Sequence, residues 1–290
     1  MHRRYAADLI ANPMKHIARK RFGQNFLTDH TVLYDIMRVV APEANDAMVE
    51  IGPGLGAMTK MLLQSVSHLH VVELDRDLVK RLQAGFDPAR LTIHSADALQ
   101  FDFASVPVPP GQKLRVVGNL PYNISSPLLF HLAEIAPLVA DQHFMLQKEV
   151  VERMVAAPGS KTYGRLSVML QWRYAMQLMF IVPPTAFDPP PRVESAIVRM
   201  VPIAQPLPCD ALALQQVVLK AFSQRRKVIR NCLAGMFTED DLCAVGIDPQ
   251  LRPEAIPLAQ FVALANRLPA QASSAPDRQA ALRALAHAGE

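Results

Sequence analysis

Val49-Glu50-Ile51-Gly52-Pro53-Gly54-Leu55-Gly56 decides the fold class of this chain. A short apolar strand ends at Ile51, and a helical stretch runs from near Gly56 to about Gln64. Glycines at such a join let the backbone approach a ligand closely, in the crevice above the strand ends. With Ala57 in the last place the loop also fits the dinucleotide pattern G-x-G-x-x-G/A. Taken alone it divides evenly between S-adenosylmethionine and a dinucleotide, and a purely structural glycine turn stays open. The chain lacks Gly-Lys-Ser/Thr, which argues against a P-loop nucleotidase.

Outward from the loop, strands and helices alternate. Segments 69–74, 91–94, 114–118 and 144–147 are the next strand candidates. Helical stretches lie near 81–82, 127–135 and 149–155. This spacing predicts βαβ units and a mainly parallel sheet. Segments 177–182 and 195–201, joined by a proline-dense turn, are expected to close it as an antiparallel edge pair. Pro202, Pro206 and Pro208 mark a linker. Helix-like stretches follow at 211–222, 226–236, 239–245 and 258–268, a small all-helical unit. The expected division is a loose lead (1–17), a cofactor-binding domain (18–202), a helical domain (203–268) and a small-residue tail (269–290) with a weak helix over 279–287. Met14 is an alternative start.

Glu73 ends the second strand, 19 residues beyond Gly54, where a carboxylate accepts ribose hydroxyls with either cofactor. Asp97 follows the third strand. It suits an adenine amine, which favours S-adenosylmethionine, or a helix N-cap. After the fourth strand comes Gly118-Asn119-Leu120-Pro121-Tyr122. The exocyclic nitrogen of adenine is a poor nucleophile because its lone pair is delocalised into the ring. A site helps by accepting both amine hydrogens, here through the Asn119 side-chain oxygen and the Leu120 carbonyl. Pro121 pins the turn, and Tyr122 offers a face for the base.

With these residues in order, the chain resembles the ribosomal RNA adenine dimethyltransferases, most closely their bacterial small-subunit branch. The likeness covers about 18–268. Its motifs are Arg19-Lys20-Arg21-Phe22-Gly23-Gln24-Asn25-Phe26-Leu27, the glycine loop, Glu73, Asp97, Asn119-Leu120-Pro121-Tyr122, Phe187-Asp188-Pro189-Pro190-Pro191-Arg192-Val193-Glu194-Ser195, and the run from Ala221 to Asn231 with Gln224-Arg225-Arg226-Lys227 at its centre. The resemblance implies a Rossmann-like α/β methyltransferase sheet of order 3-2-1-4-5-7-6 with a helical C-terminal domain. It implies dimethylation of two adjacent adenosines in the 3′-terminal hairpin of 16S RNA, on the assembling small subunit, in the cytoplasm and as a monomer. By that likeness Asn25, Leu27, Gly52, Glu73, Asp97 and Asn119 hold S-adenosylmethionine. Asn119, Leu120, Pro121 and Tyr122 form the amine site, and Phe187 covers the target base opposite Tyr122. Arg192 stands where lysine is common and Glu194 where aspartate is common.

Charge agrees with a polyanionic partner. The formal net charge of 290 residues is only +4, yet Arg3, Arg4, Lys15, Arg19, Lys20 and Arg21 face one acid, Asp8, in residues 1–22. Lys220, Arg225, Arg226, Lys227 and Arg230 cluster without an acid over 219–231. A helix around 224–232 would put Arg226 and Arg230 on one face and make Arg225, Arg226, Lys227 and Arg230 the RNA contacts. Three scattered cysteines exclude a disulfide framework and a zinc ribbon, and no metal is expected from the histidine spacing. No apolar run of 18 residues predicts a membrane span. Half the residues are hydrophobic, enough for a sizeable core. Trp172 and the Met-rich stretch 169–179 read as part of it. Two other readings remain, a large-subunit RNA dimethylase and a non-catalytic assembly factor; a NAD-dependent oxidoreductase is a discarded third.

Overall fold

A computed structural model describes residues 24–224 and 226–269. The basic run 3–21, Arg225 and the tail helix expected over 279–287 lie outside the described residues. Seven strands form the main sheet: β1 (Met48–Ile51), β2 (Leu69–Glu73), β3 (Leu91–Ser95), β4 (Leu114–Asn119), β5 (Val139–Gln147), β6 (Tyr174–Val182) and β7 (Ser195–Pro202). Their order is β3-β2-β1-β4-β5-β7-β6, as the family resemblance implies. The first five run parallel, while β7 is antiparallel to both β5 and β6. The central strand β1 is buried at all four positions, as expected of a parallel strand covered on both faces.

Side chains alternate between two cores. Val116, Phe144 and Val198 pack on one face with Leu128, Leu129 and Leu132 of α4 (Ser125–Glu134). Val117, Met145 and Ile197 pack on the other, with Leu33, Ile36 and Val40 of α1 (His30–Val40) and with Met58 and Leu62 of α2 (Ala57–Ser65). The period of two along β4, β5 and β7 assigns successive residues to opposite layers. α3 (Arg76–Gly85) joins β2 to β3, and α5 (Lys148–Met154) follows β5.

A third core joins Val168, Met169 and Trp172, from α6 (Arg165–Gln171) and its C-terminal cap, to α7 (Ala211–Ala221) and α10 (Leu258–Ala265). Trp172 is core, as its sequence context suggests, and its indole N–H donates to the Leu207 carbonyl at 2.8 Å. Between α7 and α10 lie α8 (Ile229–Cys232) and α9 (Glu239–Ala244).

The helix expected over 226–236 is therefore shorter, and this corrects the placement of the basic residues. Residues 226–227 form a turn, and Val228 is an extended N-cap with ψ 157°. The Ile229 N–H donates to the Leu251 carbonyl at 2.7 Å, outside any helix, so helical bonding begins only there. Arg226 and Arg230 do not share a helix face. Strand β5 also starts five residues earlier than the sequence suggests. Its polar beginning is stabilised from the side: Arg115 pairs with Asp141 at 2.9 Å and with Asp46 at 2.5 Å, and the Gln142 amide donates to the Tyr174 hydroxyl at 3.0 Å. Finally, two short strands, Phe26–Leu27 and Phe187–Asp188, pair antiparallel. Thr28 N–H donates to the Ala186 carbonyl at 2.9 Å, so the start of the described chain is fastened beside the link between β6 and β7.

Candidate active site

The C-terminal ends of β1, β2 and β4 open into a cavity of about 210 Å³. Its wall contains Asn25, Leu27, Gly52, Glu73, Asp97, Asn119, Leu120, Pro121 and Tyr122, which the sequence singles out separately. The glycine loop forms one side. Gly54 has φ +58°, and a Cβ there would stand 3.0 Å from the Phe26 ring. This backbone brings the Gly54 N–H to the Glu73 carboxylate at 3.3 Å. The same carboxylate accepts from the Asp75 N–H at 2.8 Å. Glu73 is 7% exposed, and burial raises its pKa against the pull of these backbone donors. The Asp97 carboxylate accepts from the Leu99 N–H at 2.9 Å, which holds the turn after β3.

At the end of β4, the Asn119 amide donates to the Asn25 carbonyl at 3.0 Å. That bond commits the amide nitrogen to one side and leaves the amide oxygen on the other. The preceding Gly118 is obligatory on steric grounds: a Cβ there would lie 2.6 Å from the Ile51 carbonyl oxygen. Pro121 opens a tight turn over Tyr122–Ile124, with the Ile124 N–H and the Ser125 hydroxyl both donating to its carbonyl. The Tyr122 and Ser195 hydroxyls are 2.7 Å apart, which ties the ring to the start of β7. Burial raises the Tyr122 pKa, so its hydroxyl stays neutral.

The sequence from residue 15 to residue 269 matches the family model described as ribosomal RNA adenine dimethylase. The chain belongs to this family. A relative from Janthinobacterium sp. (strain Marseille) named "Ribosomal RNA small subunit methyltransferase A" is 80% identical over 255 residues, 88% of this chain and all of the relative. One of the same name from Methylobacillus flagellatus is 55% identical over 260 residues, 89% of this chain and all of that one. Among solved structures, a dimethyladenosine transferase from Plasmodium falciparum superposes with a TM-score of 0.70, at 24% identity, over 82% of this chain and 95% of that one. The 23S rRNA methyltransferase ErmE gives a TM-score of 0.63 at 24% identity, over 84% of this chain and 99% of its own. At such identities these two likenesses speak for the methyltransferase fold alone.

Phe187 is not among the residues lining the cavity of this adenine dimethylase family member. It is 4% exposed, pairs through its backbone with Leu27 and packs in the core shared with α1 and α2. Its link to the site is indirect, through the strand that carries Leu27. The basic residues also separate. Arg226 and Lys227 are exposed, whereas Arg230 pairs with Glu239 at 3.3 Å and the Lys220 ammonium donates to the Ala234 carbonyl at 2.7 Å.

Several wall residues escape a reading of the sequence. Glu50 is 1% exposed, accepts from the Thr59 hydroxyl at 2.6 Å, and is pushed up to about 8 by burial. It stands inside the quoted loop motif, but an acid within an apolar strand gives no sign of its protonation state. His143 lies at the cavity floor with neither ring nitrogen hydrogen-bonded, and burial lowers it to about 4. Leu74, next to Glu73, is half exposed and adds an apolar surface at the rim. Among the described residues no group of three or more His, Cys, Asp or Glu could hold a metal ion. No helix among them is long and apolar enough to cross a membrane.

Proposed function

We propose that this enzyme, an adenine dimethylase of small-subunit ribosomal RNA, acts on the N6 amines of two adjacent adenosines in the 3′-terminal hairpin of 16S RNA. Its partner is the immature small subunit, met in the cytoplasm, and the chain works as a monomer with S-adenosylmethionine. The observation that carries this reading is the Asn25-oriented amide of Asn119 at the rim of a cavity that also holds Glu73 and Asp97. The catalytic domain is taken as 18–202 and the helical RNA-binding domain as 203–268, with 1–17 a lead and 269–290 a tail.

The wall chemistry fits the cofactor. Two backbone donors orient the Glu73 carboxylate, which suits ribose hydroxyls, Asp97 suits the adenine amine, Asn25 and Leu27 touch the cofactor and Gly52 approaches its methionine part. When bound, S-adenosylmethionine supplies a methyl already activated on a sulfonium, so orientation of the acceptor nitrogen is the main task left to the protein. The Asn119 oxygen and the Leu120 carbonyl accept the two amine hydrogens. Both contacts strengthen as positive charge grows on that nitrogen. Tyr122, tethered to Ser195, gives the extruded base a stacking surface, which offsets a few kcal/mol of unstacking. The proton of the methylated nitrogen is acidic enough to leave to water, so no side chain is assigned as general base. Arg226 and Lys227, both exposed, bind RNA phosphates, joined by Arg225 and Arg230.

Transfer of labelled methyl to unmodified small subunits, followed by nucleoside analysis, tests the reading. Two dimethyladenosines per 16S RNA are expected. Label in another nucleoside or in large-subunit RNA would overturn it.

A further inference from the structure

A second, larger cavity of about 590 Å³ opens between the turn after β3, α4, the end of α6 and α7. We propose that it is a separate binding site for a flat nitrogen heterocycle of nucleobase type that presents N–H donors. This goes beyond the methyl-transfer reading, which gives the cavity no role.

The wall is mostly apolar, and its polar side chains include two carboxylates, two carboxamides, a histidine and one guanidinium. Gln215 of α7 is 2% exposed and its side-chain oxygen has no hydrogen-bond partner. A buried acceptor without a donor is costly, and a ligand N–H is one way to satisfy it. Asp97 and Glu134 add two carboxylates to the same wall. Its guanidinium, Arg173, is stacked on the Trp172 ring, 3.8 Å from the centroid, so the two side chains form a flat plate. A planar plate, an orphaned acceptor and two carboxylates select a planar donor and disfavour a small anion. The volume lies in the usual range for a compact organic ligand.

Asp97 and Leu99 line this cavity and also the first one. The residues from 97 to 99 are thus a common partition, and an occupant on one side bears on the Asp97 that faces the other. Binding in the second cavity therefore alters cofactor affinity, and by linkage cofactor alters the second affinity by the same factor.

The same base chemistry arrives either as a free nucleoside or within an unpaired RNA strand, and two probes distinguish these sources. Adenosine and a short oligoadenylate are titrated calorimetrically into the full chain saturated with S-adenosylhomocysteine. One added site is expected, weakened tenfold or more by Gln215→Leu and unchanged by Tyr122→Ala. Gln215→Leu removes an unpartnered acceptor and so keeps the fold, which circular dichroism checks, and Gln215→Glu retains the acceptor and the binding. Gln215-dependent binding of adenosine assigns a nucleoside ligand. The same dependence with oligoadenylate alone assigns an RNA base. Absence of added binding with both probes, or binding that survives Gln215→Leu and disappears with Tyr122→Ala, overturns the proposal. Failure of S-adenosylhomocysteine itself to bind would count against the cofactor reading of the first cavity, and the Gln215 comparison would still decide this one.

Discussion

Replacing Glu50 by Gln should flatten the dependence of stability on pH above neutrality. Glu50 is buried, with the Thr59 hydroxyl donating to it and Glu73 nearby, and its folded pKa of about 8 lies far above the usual carboxylate range. The folded state thus holds a proton that the unfolded chain has released, and stability falls as pH rises from the unfolded to the folded pKa. Below pH 6.5 two histidines, half-buried His70 and buried His143, act in the opposite sense. His70 and His143 are lowered to about 4, so their contribution grows with pH and is complete above the ordinary histidine pKa. Between pH 6.5 and 8 each of these histidines adds only a few tenths of a kcal/mol, while Glu50 should cost roughly 1.5–2 kcal/mol. That is a large part of a typical stability margin. The substituted amide would keep an oxygen for Thr59 and cannot ionise. Urea unfolding followed by the fluorescence of Trp172, the single tryptophan, measures both proteins across this window. The wild type should lose stability while the Glu50→Gln curve stays higher and flatter. Parallel curves would mean that Glu50 is already ionised inside the fold and that the argument from burial is wrong.

Asn119→Ala should lower methyl transfer about a hundredfold or more, on the order of 3 kcal/mol, with residual product stopping at monomethyladenosine; single-turnover assays that separate both products check this. Glu73→Ala should weaken S-adenosylmethionine binding in calorimetry while affinity for small subunits is kept. Gly118→Ala drives a methyl against the Ile51 carbonyl and should destabilise the fold by about 1–3 kcal/mol in denaturant titration, and a smaller loss would mean that β1 and β4 separate easily. Replacing the exposed pair Arg226 and Lys227 by Ala should weaken subunit binding and lower its log–log salt slope by somewhat under one unit per lost phosphate contact; an unchanged slope would remove both from the interface.

The sheet is legible because its strands are apolar and separated by helices of ordinary length. β1 ends at Ile51 as the sequence reads, and β2, β3 and β4 end within one residue of their expected ends. The start of β5 is hidden because Asp141 and Gln142 are made strand-compatible by partners distant in sequence, Arg115 and Tyr174. Helix α1 does carry a local signal: Asp29 caps it, and Leu33, Ile36 and Val40 form its buried stripe. The wall positions of Asn25, Glu73, Asp97 and Asn119 follow from their places after strands or from the family motif. Local helical periodicity overextends α8, because the Leu251 carbonyl that meets Ile229 N–H is a tertiary partner. Phe187 shows the same limit. Its motif is clear, but burial of its ring depends on how two-residue strands meet.

Those two short strands set the order in which the enzyme becomes competent. Phe26–Leu27 leaves the ribosome early, yet its partner Phe187–Asp188 comes some 160 positions later, and Thr28 reaches Ala186 across 158. Until that stretch has been made, the peptide carrying Asn25 lacks its strand partner and is held beside Asn119 by side-chain bonds from Asn119 and to Asp75. A nascent chain that already contains the glycine loop, Glu73, Asp97 and Asn119 thus has every one of those groups but not the clasp that aligns them. Competence arrives late in translation, when the last third of the catalytic sheet closes over its own beginning.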